Sequence, residues 1–244
     1  FQPKVDACSS NIGGLEALIR WNRPDVGLVP PSEFVPIAEE SRLIVQIGRW
    51  VILEACRQMV EWLAAGAPPI TIAVNLSAPQ FSDIELPSYI DAVLRETGLP
   101  ARLLQIEITE SMVMANEPEI AQNLDALRSR GIRLAIDDFG TGYSLMSLLR
   151  KYPIDVIKID RAFVSGIPDS AHDCAITEAM ITMAKGLGLM VVAEGVETRR
   201  QEQFLLQRRC DYLQGHLYCP PIPAADMLRL LLTNRNFSAS DPVT

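Results

Sequence analysis

Arg133-Leu-Ala-Ile-Asp137-Asp138-Phe-Gly140 sets an apolar run against two consecutive carboxylates and a glycine. An apolar run of this length reads as a buried strand, and its polar end marks a place where something other than packing is done. The same construction recurs along the chain, as Ile-Ala-Val-Asn75, Gln-Ile-Glu107-Ile-Thr, Val-Ile-Lys158-Ile-Asp160, Val-Val-Ala-Glu194 and Tyr-Leu-Gln214. Glu16 enters the run Gly-Leu-Glu-Ala-Leu-Ile-Arg-Trp in the same way. The strand-like runs cover 14–21, 71–76, 103–109, 133–138, 156–160, 190–194 and 212–215, with 1–5 ahead of them. Between them lie helical patterns at 33–65 (two helices), 88–97, 119–130, 173–187 and 199–208. Several close on a glycine (Gly66, Gly98, Gly131, Gly188), the residue that helix C-termini prefer. Alternating β and α elements imply a parallel sheet, and eight strands in about 250 residues imply an α/β barrel of the (β/α)8 type. No Pro-, Gly- or Ser-rich linker divides the chain, so one domain is expected over 1–234, with a loose tail at 235–244.

Composition narrows the chemistry. The 244 residues are 48% hydrophobic and 21% charged, which excludes wholesale disorder. No apolar run reaches the roughly 18 residues needed to span a bilayer. With 22 basic and 30 acidic residues the formal charge is −8, which argues against a nucleic acid polymer as partner. Five cysteines with no C-x-x-C spacing read as reduced thiols of a cytoplasmic protein. Only two histidines are present, so a zinc site is disfavoured and any metal should be a hard one on oxygen ligands. The chain opens at Phe1 with neither an initiator Met nor a signal peptide, and is expected to be a segment of a longer protein.

In a (β/α) barrel the strand ends converge on one mouth, where active sites are built. Glu16, Glu107, Asp137, Asp138 and Glu194 would place five carboxylates there. Like charges at about 4 Å repel by roughly 4 kcal/mol at an effective dielectric of about 20. One lysine, Lys158, cannot neutralise five acids. Any one of them alone would read as an ordinary salt-bridge partner. Together, with Asn75 as a neutral oxygen, they fit two adjacent Mg²⁺ or Mn²⁺ ions sharing a carboxylate. Ca²⁺, which prefers longer bonds and looser geometry, is expected to inhibit. Gly140 and Gly142 allow a tight loop after the acids. The pattern is not a Gly-x-Gly-x-x-Gly after the first strand, and the Asp-Phe-Gly tripeptide stands without the other kinase motifs.

These motifs resemble the EAL domain, the bacterial phosphodiesterase of cyclic di-GMP. Glu16-Ala17-Leu18 carries the naming motif. Val-Asn75-Leu-Ser, Glu107-Ile-Thr-Glu110, Asp-Asp-Phe-Gly-Thr-Gly-Tyr-Ser, Lys158-Ile-Asp160, Ala-Glu194-Gly-Val-Glu197 and Gln214-Gly215 follow in the family's order. The resemblance implies a modified (β/α)8 barrel whose first strand is antiparallel, and a family N-terminal helix that is missing ahead of Phe1. It implies that Glu16, Asn75, Glu107 and Asp137 hold one metal, and that Asp137, Asp138 and Glu194 hold the other. Lys158 would position the attacking water and help deprotonate it, and Glu110 would brace the loop after Asp138. Gln2, Leu18, Arg20, Glu197 and Gln214 would lie on the substrate side, Arg20 toward phosphate. It further implies a homodimer formed near that loop, a sensory or diguanylate cyclase domain upstream, and membrane anchoring in some parent proteins. Leu145, His216 and Pro220 depart from the family pattern, in the loop and after Gln214. Two readings compete: a non-enzymatic cyclic di-GMP receptor, and a barrel lyase of the enolase kind, for whose capping domain the length leaves no room.

Overall fold

A computed structural model of the chain describes residues 1–114, 118–140, 152–233 and 237. Its strands are β1 (Gln2–Asp6), β2 (Ile12–Ala17), β3 (Trp21–Arg23), β4 (Gly27–Val29), β5 (Thr71–Asn75), β6 (Leu104–Thr109), β7 (Arg133–Phe139), β8 (Val156–Ile159), β9 (Met190–Ala193) and β10 (Tyr212–Leu213). Eight of them close a barrel in the order β1-β10-β9-β8-β7-β6-β5-β2. β1 runs antiparallel to both neighbours, β2 and β10, while the other barrel pairings are parallel. The expected barrel with its reversed first strand is the fold observed.

The helices follow the sequence pattern closely. The long pattern at 33–65 is two helices, Pro31–Glu40 and Leu43–Ala64. The second buries Ile52, Ala55, Cys56, Met59 and Trp62, a stripe at helical spacing laid on the barrel wall. Its Trp62 meets Phe1 edge-on, with ring centroids 4.8 Å apart. Helix Leu86–Thr97 ends at Gly98, whose φ of +76° only glycine adopts readily. One strand boundary differs from the sequence reading. The run 14–21 does not continue through Trp21, because Ala17 pairs with Val74 and the neighbouring strand ends one residue later, at Asn75. Trp21 instead pairs with Val29 in a separate two-stranded ribbon, β3–β4, which periodicity did not suggest.

Side chains alternate across each barrel strand, and the two faces are built differently. On β7, Leu134 and Ile136 face the helices and are fully buried in the main core. Ala135 faces inward, where it forms a small separate cluster with Val156 and Val192. The next inward positions toward the strand ends are Asp137 on β7, Lys158 on β8 and Glu194 just beyond β9. A barrel interior is normally closed by layers of branched apolar side chains. Here Ala135, Val156 and Val192 form a small apolar cluster beneath Asp137, Lys158 and Glu194. Of the expected loose tail, Phe237 is among the described residues; it is buried, and its ring stands edge-on to Tyr218 at 5.6 Å.

Candidate active site

The strands deliver the site in order round the barrel. β2 brings Glu16, β5 Asn75, β6 Glu107, β7 Asp137 and β8 Lys158, with Glu194 and Gln214 just past β9 and β10. Lys158 stands among four carboxylates. Its Nζ lies 2.6 Å from Glu107 Oε2, 2.7 Å from Glu194 Oε1, 3.0 Å from Asp137 Oδ2 and 3.4 Å from Glu16 Oε2. Burial opposes the charge on Lys158, but these four acids outweigh it and hold the ammonium well above its ordinary pKa. The lysine is therefore a fixed cation, and four acids share it.

The imbalance shows in the acids. Burial pushes Asp137 up to about 6 against the pull of Lys158, with the charges of Glu107 and Glu16 adding to the rise. Burial likewise raises Glu194 to about 8 despite Lys158, helped by Asp137 and Glu16. Glu107 goes the other way: burial disfavours its charge, yet the ammonium groups of Lys158 and Lys4 hold it at about 2. Lys4 is the group that sequence reading missed. It is buried, it reaches inward from β1, and its Nζ lies 2.5 Å from Glu107 Oε1. Gln105 Nε2 donates to the same oxygen at 2.7 Å. The alternation Gln2-Pro-Lys4-Val on a barrel strand was the signal available, since it puts Gln2 and Lys4 on one face. The two lysines together still leave negative charge in excess.

The remaining expected residues fall in three places. Glu16 accepts from Asn75 Nδ2 at 2.6 Å and from Gln214 Nε2 at 2.6 Å, and Gln214 also donates to Gln2 Oε1 at 3.0 Å. Asp138 is exposed, with φ +54°; its carboxyl meets that of Asp160 and also feels the charges of Lys158 and Glu16. Burial and the neighbouring Asp160 raise its pKa. Glu110 begins the short helix Glu110–Met114 and is buried; its Oε2 accepts from Gly140 N at 3.1 Å. Gly140 has φ +106°, and a Cβ there would sit 2.1 Å from Met180 Cε, so the residue has to be glycine. Gly142 and Leu145, along with the rest of the loop expected to carry the dimer contact, lie outside the described residues.

Two clefts open at the mouth. One of about 270 Å³ is lined by Gln2, Glu16, Leu18, Asp137, Glu194, Glu197 and Gln214, with Arg161 and His216. The other, about 480 Å³ and largely apolar, shares Leu18 and reaches Asn75 and Glu107. Arg20 is exposed and donates to Ile19 O at 2.8 Å. Glu197 lies 2.8 Å from Arg161, a basic residue that sequence reading did not single out.

Glu16, Glu107 and Asp137 each offer a carboxylate oxygen, all within 4.8 Å of one another. Hard oxygen donors at this spacing, with negative charge in excess, fit a divalent cation. The model of the EAL domain family matches residues 1–221. The chain belongs to the EAL domain family. The bifunctional diguanylate cyclase/cyclic di-GMP phosphodiesterase MucR of Pseudomonas aeruginosa is 44% identical over 229 residues, covering 93% of this chain and 33% of MucR. The cyclic di-GMP phosphodiesterase NbdA of the same organism is 39% identical over 243 residues, covering 100% of this chain and 31% of NbdA. The chain thus spans about a third of the length of these curated relatives. Among solved structures, the PaMucR phosphodiesterase in complex with c-di-GMP superimposes with a TM-score of 0.89 at 43% identity, over 93% of this chain and 92% of that one. The FimX EAL domain of Pseudomonas aeruginosa bound to c-di-GMP gives 0.83 at 26% identity, over 91% and 88%.

Proposed function

We propose that this EAL domain hydrolyses cyclic di-GMP to linear 5′-phosphoguanylyl-guanosine, using two divalent cations, Mg²⁺ or Mn²⁺, with Ca²⁺ inhibitory. The observation that carries this reading is the converging set of Glu16, Glu107 and Asp137 with Asn75 and Glu194, in a barrel that matches a phosphodiesterase bearing c-di-GMP. A receptor that only bound the dinucleotide would have no need to hold several acids at mutual repulsion.

Glu16, Asn75, Glu107, Asp137, Asp138 and Glu194 are the residues that would hold the cations. Bound there, the cations would supply Lewis-acid polarisation of the phosphate and a water made acidic enough to attack near neutral pH. The protein's own groups do the rest. Lys158, kept charged, orients the water by donating to it and favours its hydroxide form through its positive charge. Glu194, 2.7 Å from that ammonium and kept ionised by a bound cation, would be the neighbouring group able to take the water's proton. The water oxygen bonds to phosphorus, the P–O3′ bond breaks, and the 3′ oxygen leaves with a proton taken up from solvent, while Glu194 later gives its proton back to solvent. Gln2, Leu18, Glu197 and Gln214 line the cleft where the nucleotide would lie, Arg20 lines a further cleft that shares Leu18, and the adjoining apolar cleft suits a guanine base. Glu110 fixes Gly140 and so the backbone that follows Asp138.

Among the described residues no helix is long and apolar enough to cross a membrane. We propose a cytoplasmic domain spanning 1–234 that acts as a homodimer, joined in its parent protein to sensory or diguanylate cyclase domains, some such parents being membrane-anchored. Incubation with cyclic di-GMP and Mn²⁺, followed by chromatography of the nucleotides, tests the activity. A single linear dinucleotide product is expected. Cyclic di-GMP bound and recovered intact would make the domain a receptor.

A further inference from the structure

The two oxygens of Glu107 have different neighbours. Oε2 faces the mouth of the barrel, where Lys158 Nζ meets it at 2.6 Å beside Asp137 and Glu16. Oε1 faces the barrel interior, where Lys4 Nζ at 2.5 Å and Gln105 Nε2 at 2.7 Å both donate to it. Lys4 gets there because β1 is the reversed strand and Gly14 is its cross-strand partner. The lysine stem passes 3.7 Å from where a Cβ on Gly14 would stand, a space that a larger side chain would fill. Lys4 is buried and, among the described residues, its Nζ ion-pairs with one carboxylate, so its position is set by that oxygen. A buried ammonium with a single carboxylate partner is expensive to desolvate, which makes a purely packing role for Lys4 a poor explanation.

We infer that Lys4, together with Gln105, withholds Oε1 of Glu107 and so makes Glu107 a one-oxygen ligand, which biases the site toward small octahedral cations over Ca²⁺. Ca²⁺ takes bidentate carboxylates readily, whereas Mg²⁺ holds to near-octahedral geometry with single oxygens. Groups that orient a ligand from behind tune metal affinity although they never touch the ion. Lys4 is thus a positioning residue. The inference rests on the metal reading proposed above.

The test is the ratio of Ca²⁺ to Mn²⁺ affinity, measured by calorimetric titration of the chelator-stripped protein, for the parent, Lys4→Met and Lys4→Arg. Removing the ammonium charge strengthens both ions alike, so the ratio isolates the freed oxygen. Lys4→Met should shift the ratio toward Ca²⁺ by about tenfold, the lower end of the usual effect of such groups. Lys4→Arg, which keeps a donor, should restore most of the parent ratio. Should Lys4→Met fail to fold, Gln105→Met removes the other donor to the same oxygen and should shift the ratio in the same direction. A parent that binds Mn²⁺, with a variant ratio unchanged, overturns the role of Lys4. A parent that binds neither ion overturns the metal reading itself.

Discussion

Lys158 Nζ and Glu194 Oε1 lie 2.7 Å apart, from the end of one barrel strand to the residue just past the next. The same ammonium serves Glu107, Asp137 and Glu16, so it is a counter-ion shared by four acids. Lys158→Met would leave four acids without it. Breaking a buried ion pair from one side costs about 3–5 kcal/mol. The melting temperature in chelator should fall accordingly, and Mn²⁺ should restore more of it than it adds to the parent. A variant that melts with the parent under both conditions would show that Lys158 is not the counter-ion.

Glu110 acts on the backbone. Its carboxylate accepts from Gly140 N at 3.1 Å, and a hydrogen bond to a charged group contributes about 1.5–3 kcal/mol. Glu110→Ala should therefore lower kcat by roughly ten- to a hundredfold at saturating Mn²⁺, while circular dichroism stays that of a folded barrel. Glu110→Gln, which keeps an acceptor, should lose less. Equal kcat in all three proteins would remove the bracing role.

Buried thiols set an alkaline limit. Burial pushes Cys56 up to about 12 and Cys210 up to about 12, from an ordinary value of 9.0. A folded-state pKa raised above the unfolded one means that unfolding releases a proton once the pH passes the unfolded value. The contribution of each thiol is complete below pH 9 and is lost as pH rises toward 12. Denaturant midpoints should fall across that window and fall less in Cys56→Ala, once its own cavity cost is subtracted. At pH 8 a thiol reagent should label exposed Cys8 and spare both buried thiols.

The sequence carried the barrel and most of the mouth because strand alternation is local. Any acid that closes an apolar run, such as Asp137 or Glu194, has its direction set by the residues beside it. What alternation does not carry is which neighbour a long side chain meets. Lys4 sits in a strand whose reversed direction depends on closure of the barrel, and its partner Glu107 is 103 residues away. The one-residue frame of Asp137-Asp138 also sends successive side chains apart, so Asp138 meets Asp160 while Asp137 meets Lys158. The ribbon β3–β4 was missed because three-residue strands are too short to show a period.

Turnover of cyclic di-GMP as Mn²⁺ is titrated back into chelator-stripped protein, beside Glu107→Gln, bears most directly on the mouth as a metal-dependent phosphodiesterase centre. The stripped parent should be inactive and recover fully, and Glu107→Gln should need at least about tenfold more Mn²⁺ to reach a lower plateau, since a ligand carboxylate and its charge are gone. Full turnover in the stripped parent, or a Glu107→Gln curve lying on that of the parent, would contradict the account.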